Sequence, residues 1–81
     1  MWILAKDKNT VVNLNRCEYI GIYNYTRSSI EAGASNDQVF TLGEYDQERA
    51  AEVFEELLTS LAKGDQLFRM PENVNNPKLF Y

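Results

Sequence analysis

The residues best suited to specific recognition are three tyrosines and two arginines between positions 16 and 27. Tyr19, Tyr23 and Tyr25 lie in the stretch EYIGIYNY at positions of equal parity, so an extended strand would present them on one face. Tyrosine combines a large rigid ring with a hydrogen-bonding hydroxyl and is enriched at interfaces. Arg16 and Arg27 bracket the strand and can pair with a carboxylate or phosphate. The pattern predicts a binding surface made of these five residues.

The same stretch also has a purely structural interpretation. Ile20 and Ile22 occupy the opposite face of the strand and suit the cover of a helix. One helix covers only one face of a small sheet, which would leave the tyrosines available to a partner. A sheet that coils strongly would instead draw the tyrosine rings into a second small core, with only their hydroxyls in water. The sequence leaves both alternatives open.

Residues that could catalyse a reaction are scarce. There is no histidine to activate a nucleophile, and the neighbour of Cys17, Arg16, would point to the opposite strand face. Cys17 is therefore interpreted as a small buried apolar residue. Four scattered glycines form no phosphate loop, and a group of helical glutamates is typical of a solvated face: Glu48, Glu52, Glu55 and Glu56. We predict no catalytic residue, no metal site, no cofactor and no enzymatic activity.

The secondary-structure elements that must position the tyrosines are predicted from the spacing of the apolar residues. A period of two, with turn residues between the segments, predicts five strands in a meander. They are Trp2–Ala5, Thr10–Leu14, Cys17–Tyr25, Ser29–Ala34 and Gln38–Leu42. Glycines inside strands predict bulges or bends at Gly21 and Gly33.

The period then changes to that of a helix, predicted over Asp46–Lys63. Asp46 is the expected N-cap, and Gly64 stands where a C-terminal glycine belongs. The apolar residues form one stripe at helical spacing: Ala50, Val53, Phe54, Leu57, Leu58 and Leu61. After the helix, QLFRM predicts a short edge strand because Pro71 bars a central one.

These elements predict an α+β fold: a small coiled antiparallel sheet of about five strands followed by one C-terminal amphipathic helix. The order resembles pleckstrin-homology-like architecture, a likeness that specifies no function. We place a single domain at residues 1–71 and a tail at 72–81. The tail ends in apolar Leu79, Phe80 and Tyr81, which either dock on this domain or a neighbour or remain disordered.

Length and charge narrow the class of protein. The chain has 81 residues, a net charge of −4 and one cysteine, so no internal disulfide can stabilise it and oligomerisation is the expected substitute. The apolar run Met1–Ala5 is too short for an export signal, and no stretch suits a membrane span. We expect a cytoplasmic protein with no membrane partner. Its negative charge argues against duplex nucleic acid.

Five short motifs follow one another along the chain: MWI at 1–3, VN at 12–13, LGEY at 42–45, ERA at 48–50 followed by Val53, and RMP at 69–71. In order and spacing they resemble the motifs of small uncharacterised proteins from phages and mobile elements of low-GC Gram-positive bacteria. The resemblance covers the chain to about Pro71 and excludes the long middle segment and the tail. It implies a mobile-element setting and transfers no activity and no site residues.

Three functions are expected from these observations. The first is a phage-type, homo-oligomeric interaction protein that binds and blocks a host protein, such as a CRISPR-type defence nuclease. The second is an oligomer that sequesters a nucleotide or another small anion between subunits, with tyrosines stacking and arginines pairing. The third is a structural homodimer in which the tyrosine face serves only self-association.

Overall fold

The computed structural model describes residues 1–72 and confirms the predicted α+β class. Six strands and one α-helix follow one another along the chain, with a 3₁₀ turn at Leu14–Arg16. They are β1 (Trp2–Leu4), β2 (Val11–Asn13), β3 (Cys17–Asn24), β4 (Ser28–Ala34), β5 (Val39–Tyr45), α1 (Gln47–Lys63) and β6 (Leu67–Arg69). The predicted tail, with Leu79, Phe80 and Tyr81, lies outside the described residues except for Glu72.

The strands form two sheets of three, so the prediction of one five-stranded sheet closed by a helix was wrong. The first sheet has the order β2-β1-β6, and the second has the order β3-β4-β5. Asn13 separates them: its side chain accepts a hydrogen bond from the Asn15 N–H at 3.0 Å and caps the 3₁₀ turn after β2. The chain is thereby redirected before β3 begins. The pleckstrin-homology-like arrangement is not the one found.

The first sheet combines a local hairpin with a distant strand. β1 pairs with β2 antiparallel and with β6 parallel, so the segment after the helix returns to the start of the chain. β6 lies at the sheet edge, as predicted for QLFRM. The second sheet is an antiparallel meander whose bulges fall between Cys17 and Tyr19 and between Ile30 and Glu31. The bulges predicted at Gly21 and Gly33 are therefore displaced by two or more positions.

Helix α1 begins and ends as its caps predicted. The Asp46 carboxylate accepts a hydrogen bond from the Arg49 N–H at 2.9 Å, and Gly64 adopts the left-handed conformation with φ of 80°. The predicted apolar stripe is too wide, however. Leu58 and Leu61 are 37% and 43% exposed, whereas Arg49 is buried. The contact surface of the sheets is narrower than the six-residue stripe, so one flank of the helix remains in water.

One hydrophobic core joins both sheets to the helix. α1 packs against β3, β4 and β5, and the inner residues of the first sheet complete the same cluster. Its buried members are Ile3, Val12, Ile30, Ala32, Leu42, Tyr45, Ala50, Val53, Leu57 and Met70. Because this core lies on one side of the second sheet only, the opposite side of that sheet faces solvent.

Polar contacts tie the first sheet and the end of the described chain to the core. The Lys6 N–H donates to the Leu42 carbonyl at 2.8 Å, which links the segment after β1 to β5. The buried Tyr45 hydroxyl donates to the Pro71 carbonyl at 2.7 Å. Arg49 reaches the Glu72 carbonyl at 3.4 Å and the carboxylate of Glu52 at 3.1 Å. The buried guanidinium is thus paired rather than left as an uncompensated charge.

Within residues 1–72, no helix has the length and apolar character needed to cross a membrane.

Replacing Tyr45 with phenylalanine removes the hydrogen bond to Pro71 and leaves the ring in place. We expect the free energy of unfolding at neutral pH to fall by about 1 kcal/mol. Burial raises the pKa of Tyr45 to about 12, whereas the pKa of an unfolded tyrosine is about 10. Above that lower value the unfolded chain loses this proton before the folded chain does, so wild-type stability declines with rising pH.

Urea unfolding of wild type and Tyr45→Phe over a pH series measures both effects. The stability advantage of the wild type should shrink as the pH approaches the folded pKa. A constant difference across the series would contradict the assignment of the buried, hydrogen-bonded phenol.

Candidate functional site

The two faces of β3 have different environments. Ile20 and Ile22 are partly buried and pack against the hydrophobic core on the side covered by α1. Tyr19, Tyr23 and Tyr25 are 45%, 39% and 66% exposed. The helix therefore covers the isoleucine face. The other side of the second sheet, called the outer face here, carries the tyrosines.

Strand register places small residues beside the tyrosines. Tyr19 lies opposite Gly33, Glu31 lies opposite Gly21, and Tyr23 lies opposite Ser29. A Cβ atom at Gly33 would overlap the Tyr19 ring, and one at Gly21 would meet the Tyr23 ring at 3.2 Å. Both rings therefore lie along the sheet surface rather than standing away from it. Glycine is needed at position 33 for this close approach.

Covered small residues show how closely the outer face is packed. Gly33 is buried beneath the Tyr19 ring, and Ser29 is only 2% exposed although it lies in the outer register row with Tyr23. The Tyr19 and Tyr23 rings thus lie flat on the sheet. Part of the backbone of this face is already shielded from water. A rigid surface of this kind loses little side-chain entropy when a partner binds.

Glu31 is the charged group at the centre of the outer face. The pKa of Tyr25 is raised, first by desolvation and then by the nearby Glu31 carboxylate, which disfavours the phenolate. Tyr23 and Tyr19 raise this pKa further. Among residues 1–72, no lysine or arginine forms an ion pair with Glu31. The tyrosines and Glu31 are called the tyrosine–glutamate cluster below.

The two predicted arginines do not converge within one chain. Arg16 lies on the 3₁₀ turn before β3, and Arg27 lies in the turn after it. β3 has eight residues, so its ends are about 23 Å apart at the usual rise of an extended strand. Arg27 is close enough to Lys6 to lower the pKa of that amine, second to the effect of burial. Each arginine can touch a large partner at the rim, but the two cannot hold one small anion between them.

Cys17 has none of the features of an activated nucleophile. Burial raises the pKa of its thiol, and the thiol donates a weak hydrogen bond to the Asn13 carbonyl at 3.6 Å. A cysteine nucleophile needs a lowered pKa. Across residues 1–72, no group of three or more histidine, cysteine, aspartate or glutamate side chains could hold a metal ion.

A second exposed surface lies on the first sheet. Trp2, Val11 and Leu67 are 49%, 52% and 42% exposed on its solvent side. Beside them is a groove of about 480 Å³. Its lining includes Trp2, Val11, Asn13, Arg16, Gln38 and Phe40, and none of the outer-face tyrosines. This surface was not predicted, because three-residue strands carry too little alternation to show which side they bury.

Glu31 was also absent from the predicted site, although a signal for it exists in the sequence. The turn TRS pairs Asn24 with Ser28, and the same register continues to Gly21 opposite Glu31. Counting outward from the turn would therefore have placed the carboxylate between the tyrosines. The alternation within one strand predicts which face of the sheet a residue lies on. It does not predict which residues lie beside it on the neighbouring strand.

Comparisons with protein-family models, with curated proteins and with solved structures found no match. The function is therefore inferred from the geometry of the outer face and from the motif resemblance.

Proposed function

We propose that this chain is a non-enzymatic phage or mobile-element protein that binds and blocks a host protein, such as a CRISPR-type defence nuclease. Its recognition surface is the outer face of the second sheet, with Tyr19, Tyr23 and Tyr25 at the centre and Arg16 and Arg27 at the rim. The mobile-element setting and the host target come from the motif resemblance. The exposure of the three tyrosines supports the choice of surface.

The observation that carries the proposal is the exposure of three neighbouring tyrosines on one face. A sheet protein of this size usually places polar residues on its solvated side. Here β3 places rings there, and glycine at position 33 lets one of them lie flat. Large exposed aromatic surfaces mark interaction sites more often than they serve a free monomer. Tyrosine is also among the residues that contribute most to binding at interfaces.

The tyrosine–glutamate cluster further suggests the charge of the group it binds. A carboxylate among the negative faces of aromatic rings attracts a cation by direct charge and by cation–π contact. Glu31 has no cationic partner among the described residues, and the chain is acidic overall. We expect the cluster to receive an arginine or lysine side chain of the host protein. Nucleic-acid-binding proteins such as nucleases carry basic surfaces of this kind.

The alternative of a nucleotide- or anion-sequestering oligomer is less well supported. Glu31 lies opposite Gly21, among the tyrosines, and would repel an anion placed on them. The structural-homodimer alternative places a second copy on the outer face. Two copies meeting there would bring their Glu31 carboxylates together, which disfavours that arrangement.

Replacing all three tyrosines with alanine should abolish capture of the host target. The chain is tagged and used to purify proteins from a lysate of a low-GC Gram-positive host, and bound proteins are identified by mass spectrometry. Wild type should retain a protein that the triple variant loses, and Tyr23→Ala alone should weaken its binding by more than about 1 kcal/mol. Trp2→Ala is the matched control, an exposed aromatic residue on the other sheet. Loss of the target with Trp2→Ala and its retention by the triple variant would overturn the proposal.

Replacing Glu31 with glutamine tests the charge of the bound group. Removing a carboxylate that pairs with a cation should weaken target binding by about tenfold and reduce its dependence on salt. Glu55→Gln makes the same chemical change on an exposed part of the helix and should leave the affinity unchanged. Titration calorimetry with the purified target at several salt concentrations measures both. Equal affinity and equal salt dependence for Glu31→Gln and wild type would exclude the cationic contact.

A further inference from the structure

The edge of the second sheet formed by β3 is unusually open for its length. β3 lies at one end of the order β3-β4-β5, and among residues 1–72 no strand pairs with its free side. The opposite edge, on β5, is partly occupied by the hydrogen bond from Lys6 to Leu42. Proteins usually protect long edge strands with lysine, proline or bulges. The eight residues of β3 contain no lysine and no proline, and its bulge affects only the start.

The sequence of this edge reads the same in both directions. Tyr19-Ile20-Gly21-Ile22-Tyr23 is a palindrome centred on the glycine. In a two-fold antiparallel pair centred on Gly21, Tyr19 would lie opposite Tyr23 of the second copy, and Ile20 opposite Ile22 of the second copy. Outer residues would therefore meet outer residues and inner residues would meet inner ones, as a continuous sheet requires. Aromatic and β-branched cross-strand pairs are both favourable.

We propose that two copies of this chain pair along β3 about a two-fold axis at Gly21, forming a continuous six-stranded antiparallel sheet. The partner is a second copy because the palindromic sequence lets two identical β3 edges pair with every tyrosine opposite a tyrosine and every isoleucine opposite an isoleucine. The pairing adds the main-chain hydrogen bonds of a new strand pair. A chain this small gains stability from such an association. Its isologous geometry closes at two copies.

This pairing leaves the outer face accessible. The tyrosine–glutamate clusters of the two copies would lie side by side on one surface and present a doubled site to a target. The inference does not depend on the identity of that target, since self-association is measured on the purified chain alone. Failure of host binding and failure of pairing are thus separate results.

Paired charge substitutions test the register directly. In the proposed dimer, position 19 of each copy faces position 23 of the other. The variant Tyr19→Lys with Tyr23→Lys therefore sets like charges opposite each other twice, whereas Tyr19→Lys with Tyr23→Glu sets opposite charges there. Both variants lose the same two exposed tyrosines, so each is the matched control of the other. Circular dichroism establishes that both remain folded.

Sedimentation equilibrium over a wide concentration range gives the dimer dissociation constants. Wild type should dimerise, and the lysine–lysine variant should dissociate at least about tenfold more readily than the lysine–glutamate variant. Amide exchange of wild-type β3 should slow as the dimer forms, which supports the pairing without any substitution. A wild type that stays monomeric would overturn the proposal. Equal dissociation of the two charge variants would overturn it as well, because the register would then be wrong.

Discussion

The structure depends on one constraint: a single helix can cover only one side of a small sheet. α1 packs on the side of the second sheet that carries Ile20 and Ile22, and the first sheet completes the core on that same side. The outer face must therefore be stabilised without a covering layer. The Tyr19 ring lies over Gly33, and the Tyr23 ring lies beside Gly21. These rings cover part of the backbone of the outer face and are themselves exposed to solvent.

The chemistry of that surface follows from strand register. Glu31 lies opposite Gly21, on the same side of the sheet as Tyr19 and Tyr23. Its carboxylate contributes to the raised pKa of Tyr25. A carboxylate surrounded by aromatic rings is suited to a cation. Arg16 and Arg27 lie at opposite ends of β3, so the centre and the ends of the strand carry opposite charges. This pattern supports the proposal of a protein partner that carries both kinds of charge.

Local sequence patterns predicted the elements better than their assembly. The alternation in EYIGIYNY predicted which residues share a face, and Asp46 and Gly64 marked the ends of the helix because capping is a local interaction. The division into two sheets was missed, since the Asn13 turn resembles any short loop in a meander. Parallel pairing of β1 with β6 joins residues more than sixty positions apart, for which no local pattern exists. Leu58 was wrongly assigned to the core. Helical spacing predicts which residues share a flank, whereas the width of the buried flank depends on the surface that the helix packs against.

The most direct test of the outer face is the chemical accessibility of individual side chains. Hydroxyl-radical labelling of the free chain, followed by mass spectrometry, reports the exposure of each tyrosine. We predict rapid labelling of Tyr19, Tyr23 and Tyr25 and slow labelling of buried Tyr45, with the first three becoming protected in a purified target complex while Trp2 stays reactive. Labelling of Tyr19, Tyr23 and Tyr25 at the slow rate of Tyr45 in the free chain would contradict an exposed outer face. Protection of Trp2 alone in the complex would move recognition to the first sheet.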